Sequence, residues 1–158
     1  MSAAVYRLPD EPMPSGLAKY AVDPMWPLLA VMFAGQGLGY AWFIVNGIAL
    51  GSPRRMREWS LIVLAMGGAV VLLIALSWAR RQGLLPGVAL QYAFLSIVAL
   101  KLTCAYVLYL RQHATFEIWS HYGGVARNGL PVAIVLGLAS AKLFGALHLP
   151  RIAEVALR

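Results

Sequence analysis

The sequence predicts an all-α integral membrane protein: four transmembrane helices in an antiparallel bundle, with the third helix extended beyond the membrane. Three observations predict it. The 158 residues are 61% hydrophobic and only 12% charged, with a mean hydropathy of +0.73, whereas soluble domains average about 45–50% apolar and about 25% charged. The apolar residues fall in four runs, each bounded by helix start and stop signals. The segments between the runs are too short to form a soluble domain of their own. Lipid is therefore the solvent for much of the chain, and one domain is expected because each helix depends on its neighbours.

Residues 1–23 read as a polar, proline-containing tail. The expected transmembrane domain covers 24–150, with helices at about 24–50, 53–82, 86–111 extending to 122, and 130–149. Asp23-Pro24 supplies an N-cap and a first-turn proline for the first helix. At 27 residues that helix would be roughly 40 Å long, more than the ~30 Å hydrocarbon core, and is expected to tilt or protrude. Ser52-Pro53 repeats the start signal, Gly83 suits a left-handed helix end, and Pro86 opens the third helix. Gly123-Gly124 stops its extension. Asn128 or Gly129 caps the fourth helix, Pro150 ends it, and 151–158 is a short basic tail. Trp26 and Trp78 are expected at one membrane face and Trp59 and Trp119 at the other, as an aromatic belt.

Several function classes are excluded or unsupported. A net charge of +7 in so apolar a chain belongs to loops and orientation rather than to nucleic acid. The single Cys104 leaves no internal disulfide and no CxxC pair. The polar start and late first apolar run do not read as a secretory signal. No Walker loop, GxSxG elbow or HExxH motif occurs, so a conventional ATPase or hydrolase has no support, and no cofactor is expected. Ten arginines against three lysines point to a GC-rich genome and hence a bacterial inner membrane. With both termini expected on one face, six cations face five, and orientation stays open.

The strongest chemical signal is Lys101 and Lys142. Two of the three lysines lie deep within apolar helices, where each costs roughly 2.5–3.5 kcal/mol on insertion scales. No carboxylate is expected at their depth. Such lysines snorkel, lose their proton, face water, bind an anion or lipid headgroup, or pair with a carboxylate of another subunit; Lys can deprotonate where Arg cannot. Gln36 and Asn46 are the polar residues of the first helix, suited to interhelical hydrogen bonds or a ligand contact. Tyr92, Ser96, Thr103 and Tyr106 share one face of the third helix, roughly opposite Lys101. Gly35, Gly39, Gly47 and Gly51 form one small-residue ladder and Ala133, Gly137, Ala141 and Gly145 a second, each permitting close helix contact. Arg54, Arg55 and Arg57 oppose the helix dipole and are expected to bind lipid phosphates. His113, Glu117 and His121 share a helix face at i, i+4 and i+8, a weak metal candidate because the histidines are about 12 Å apart along the axis.

The reading these features favour is an accessory or scaffold subunit of a bacterial membrane complex. It would pack through its small-residue ridges and intramembrane lysines against the bilayer, other membrane subunits or a second copy. The rivals are a small oligomeric transporter or channel for an anion, proton or lipid, and a membrane enzyme acting on lipid through the His113–His121 segment. Anionic lipid is a further partner and nucleic acid is not.

Overall fold

A computed structural model describes residues 16–84 and 86–147, apart from the side chains of residues 144, 145 and 147. The expected tails at 1–15 and 148–158, with Pro150, lie outside the described residues. Five α-helices follow a short 3-10 turn at Ala18–Tyr20: α1 Met25–Phe33, α2 Gln36–Ala49, α3 Arg55–Arg81, α4 Gly87–His121 and α5 Leu130–Leu147. The described residues contain no strand, only an isolated parallel bridge between Val22 and Arg127.

The first expected helix is two helices, and this is the main correction to the four-helix reading. Gly35 sits at φ 91°, ψ 161°, a region essentially reserved for glycine. The i→i−4 ladder ends at Ala34 N–H to Ala30 C=O and restarts at Gly39 N–H to Gly35 C=O. Between them the chain reverses. A Cβ added at Gly39 would sit 2.4 Å from the Val31 backbone nitrogen, so the two helices meet backbone to backbone there. Farther along, the Val22 N–H donates to Asn46 Oδ1 at 2.9 Å. The paired positions run 22 with 46 and 31 with 39, which makes α1 and α2 an antiparallel helical hairpin. With 9 and 14 residues, they are roughly 14 and 21 Å long. Neither is long enough to cross a bilayer, and α1–α2 enters and leaves the bundle at one end.

The later elements lie close to their expected bounds. α3 and α4, at 27 and 35 residues, are both long and apolar enough to cross a membrane. Asp23 Oδ1 accepts the Met25 N–H at 2.8 Å and Asn128 Oδ1 the Leu130 N–H at 2.9 Å, so two of the expected caps form. α2, α3 and α4 each end in a turn whose N–H reaches back five residues: Ser52 to Gly47, Leu84 to Ala79 and Gly124 to Trp119. Gly51, Gly83 and Gly123 supply the left-handed residue of those turns.

α3 and α4 pair along their length, with small residues at the seam. Ala65, Ala69 and Ala105 are buried, and a side chain at Gly68 would meet Leu100 at 2.7 Å. The hairpin lies on this pair: Val31, Tyr40 and Phe43 form one core with Ile62, Ala65, Cys104, Ala105 and Leu108. α5 packs principally on α1, through Ala133 and Leu136 against Val22, Ala30, Ala34 and Trp42. Outward faces remain apolar. Val63, Val71 and Ile74 of α3 are 71, 65 and 64% exposed, and Val135 and Leu138 of α5 are 62 and 63% exposed. Only 17% and 28% of the most apolar windows of α3 and α4 are buried, which is unlike the core helices of a water-soluble domain.

The hairpin changes which residues share an end. The start of α1, the end of α2, the start of α3, the end of α4 and the start of α5 form one end, here the entry end. Ala21 packs with Ala49, Leu50, Phe116 and Trp119 there, and Arg127 N–H donates to Ala21 C=O at 2.9 Å. Trp26 touches Gly129 at this end too, so it joins Trp59 and Trp119, not Trp78 as expected. The end of α3 and start of α4 form the far end.

Candidate functional site

A buried polar cluster closes the entry end, and each member reaches it for a local reason. Glu58 is one turn into α3 in register with the buried stripe Ile62, Ala65 and Ala69. Gln112 continues the stripe Ile97, Lys101, Cys104, Ala105 and Leu108 of α4. Asn46 lies on the inner face of α2, and Ser52 is in the turn that follows. Gln112 Nε2 donates to Glu58 Oε2 and to the Phe43 carbonyl, both at 2.8 Å. Ser52 Oγ donates to Glu58 Oε1 at 2.5 Å, and Asn46 Nδ2 approaches Gln112 Oε1 at 3.4 Å. Asn46 Oδ1 holds the Val22 N–H.

Both Glu58 oxygens and both ends of the Gln112 amide are thus engaged, which is what a buried network needs to be stable. A Cβ at Gly47 would lie 2.8 Å from both Gln112 Nε2 and Glu58 Oε2. Gly47 therefore makes room for the cluster. The arrangement is a clamp joining α2, α3 and α4, with no exposed nucleophile or free acid in it. Asn46 was expected as a polar contact and Ser52 as a helix cap; α3 instead starts at Arg55 without a side-chain cap, and the Ser52 hydroxyl goes to Glu58, while Glu58 and Gln112 were missed. Their signal was register: each polar side chain lies on the same helical stripe as the small and branched core residues, or in the turn beside it.

Lys101 lies farther along the same stripe of α4, 8% exposed. The Tyr40 hydroxyl donates to its carbonyl oxygen at 2.7 Å. No hydrogen bond or ion pair of its ammonium is found among the described residues. Gln36, buried at the start of α2, is one turn before Tyr40. The hairpin tip thus brings Gln36 and Tyr40 into the interior that Lys101 faces. Lys142 is exposed on α5, a helix that packs on α1, and the two lysines do not form one site. Tyr92, Ser96, Thr103 and Tyr106 are all exposed.

The first glycine ladder serves contacts within the chain: Gly35 breaks the helix, Gly39 admits Val31, Gly47 admits the clamp and Gly51 turns the chain toward α3. On α5, Ala133 packs against α1. Gly137 lines an apolar groove of about 380 Å³ with Trp26, Ala30 and Phe33. Ala141 is exposed, and the packing of Gly145 falls outside the described residues. Arg54 and Arg57 line a cleft with Arg111; Arg55 does not.

The His113, Glu117 and His121 set does not converge. His113 Nε2 lies 3.4 Å from Glu117 Oε1, while His121 meets the edge of Tyr122. Among the described residues no three His, Cys, Asp or Glu side chains are placed to hold a metal. His113 instead stacks between Tyr109 and Phe116, with ring centroids at 5.3 and 6.3 Å. No protein-family model, curated protein or solved structure matches the chain.

Proposed function

We propose that the chain is a multi-pass subunit of a bacterial inner-membrane assembly, completed by other membrane helices or by a second copy. α3, α4 and α5 cross the bilayer, and α1–α2 is a re-entrant hairpin. The observation that carries the reading is Lys101, a cation near the middle of α4 whose ammonium has no partner among the described residues. Because α1 and α2 turn back at Gly35, they cover α4 only from its midpoint toward the entry end. Lys101, about 21 Å from the start of α4, is 8% exposed as a residue; its ammonium is not wholly enclosed and has no partner among the described residues, and the exposed Lys142 adds a second deep cation. An ammonium at membrane depth without a counter-charge costs roughly 2.5–3.5 kcal/mol on insertion scales. A membrane-embedded carboxylate or carbonyl cluster from another helix satisfies it.

The hairpin also supports an orientation. Lys19, Arg54, Arg55, Arg57, Arg111 and Arg127 lie at the entry end, against Arg80 and Arg81 at the far end. Six described cations against two support a cytoplasmic entry end under the positive-inside bias.

A second reading draws on the helix break itself. Broken helices at membrane depth occur where they are buried in protein or line a cavity, and transporters bind ions at such breaks. Purification from the native membrane in mild detergent, followed by mass spectrometry, tests the proposal. A stoichiometric membrane partner, or a defined homo-oligomer, lost on Lys101→Leu is the expected result. A folded lone monomer with no associated chain contradicts it. A homo-oligomer that moves anions or protons in vesicles favours the second reading.

A further inference from the structure

From the cleft at the entry end, we infer that the chain holds the phosphate of an anionic phospholipid between α3 and α4. The cleft has a volume of about 530 Å³ and is lined on one side by Pro53, Arg54, Arg57 and Glu58. The other wall is α4, from Val107 to Ile118, and includes Arg111. Arg57 of α3, Arg111 of α4 and Arg54 in the turn before α3 therefore line one concavity. Among the described residues the only carboxylate in its wall is Glu58, and both of its oxygens are engaged by Ser52 and Gln112. The clamp thereby withholds this carboxylate from Arg57 and Arg111. Neither Arg57 nor Arg111 makes an ion pair among the described residues, and both are exposed.

The remaining lining states the ligand's chemistry. Guanidinium groups fit phosphate oxygens bidentately. Below the level of Arg111, toward the interior of the bundle, the α4 wall is apolar at Val107 and Leu110. Above it stand Ala114, Thr115 and Ile118. A charged phosphate at the arginine level with hydrocarbon running down past Val107 and Leu110 matches this polarity. A free phosphate uses only the upper part. The cleft also lies where α3 begins and α4 continues roughly 15 Å farther, the depth of an interface in the membrane reading on which this inference rests.

The test uses the full chain in detergent, incubated with phosphatidylglycerol or phosphatidylcholine and read by native mass spectrometry. The wild type is expected to retain phosphatidylglycerol at least tenfold over phosphatidylcholine. Arg57→Gln with Arg111→Gln is expected to abolish that preference, while Arg80→Gln with Arg81→Gln, equal in charge change at the far end, keeps it. Arg57→Lys with Arg111→Lys is expected to retain part of it, since point charge survives without the planar fork. Equal loss in the far-end variant, or no loss in the cleft variant, overturns the inference. Displacement of the lipid by millimolar inorganic phosphate alone overturns the lipid assignment in favour of a free anion. Alkaline extraction of membranes separates the two failures: a chain released by carbonate sinks the membrane reading, and a retained chain without lipid preference sinks only the lipid site.

Discussion

Gly47 shows how a single missing side chain can decide the entry end. A methyl group there would press on Gln112 and Glu58 together, and overpacking of this kind costs about 1–3 kcal/mol. Gly47→Ala is therefore expected to lower the thermal midpoint in detergent. Gly37→Ala, on the same helix with nothing within 4 Å of the added carbon, is expected to leave it unchanged or slightly higher, since alanine favours a helix. Glu58→Ala strands the Ser52 hydroxyl and a Gln112 proton, at about 1–3 kcal/mol for each buried donor left unpaired. A midpoint for Glu58→Ala equal to that of the wild type would show that the clamp contributes nothing. Lys101 carries the opposite expectation. Replacing a deep cation by leucine removes an insertion cost of roughly 2.5–3.5 kcal/mol, so Lys101→Leu should stabilise the isolated chain while weakening its assembly. Loss of both stability and assembly would point to an internal structural role for the lysine.

The hairpin is the element on which the architecture turns, and Gly35 is its hinge. At φ 91°, ψ 161° a Cβ is strained by about 1–3 kcal/mol. Gly35→Ala is expected to destabilise the fold by that order in a denaturation series, and no such cost arises if 24–50 is one helix. The sequence made the helical runs of α3, α4 and α5 legible, because periodic apolar residues, caps and glycine stops coincide there. It hid the hairpin because α1 and α2 read as one continuous, largely apolar run and Ala34-Gly35 resembles an ordinary small-residue pair in a membrane helix. Nothing local separates a glycine that packs from a glycine that reverses the chain. The clamp was hidden differently. Glu58 and Gln112 are far apart in sequence, and only the α3–α4 register aligns their stripes. Asn46 and Lys101 were legible because a polar residue in an apolar run is conspicuous by itself.

At the scale of the whole molecule, the hairpin sets both the shape of the bundle and its charge distribution. It fills the interior at the entry end and anchors α5 through α1. The outward surfaces of α3 and α5 are apolar, and Arg54, Arg55, Arg57, Arg111 and Arg127 gather where the hairpin enters. The subunit proposal, the cytoplasmic entry end and the lipid cleft all depend on this topology, so it is the point to test first. In a Cys104→Ala background, single cysteines at Leu17, Met56, Gln82 and Val125 can be labelled with a membrane-impermeant thiol reagent, first in intact spheroplasts and then in inverted vesicles. The re-entrant hairpin predicts that Leu17, Met56 and Val125 react together from the cytoplasmic side and Gln82 alone from the outside. Leu17 reacting with Gln82, opposite Met56 and Val125, would contradict the hairpin and restore a first helix that crosses the membrane.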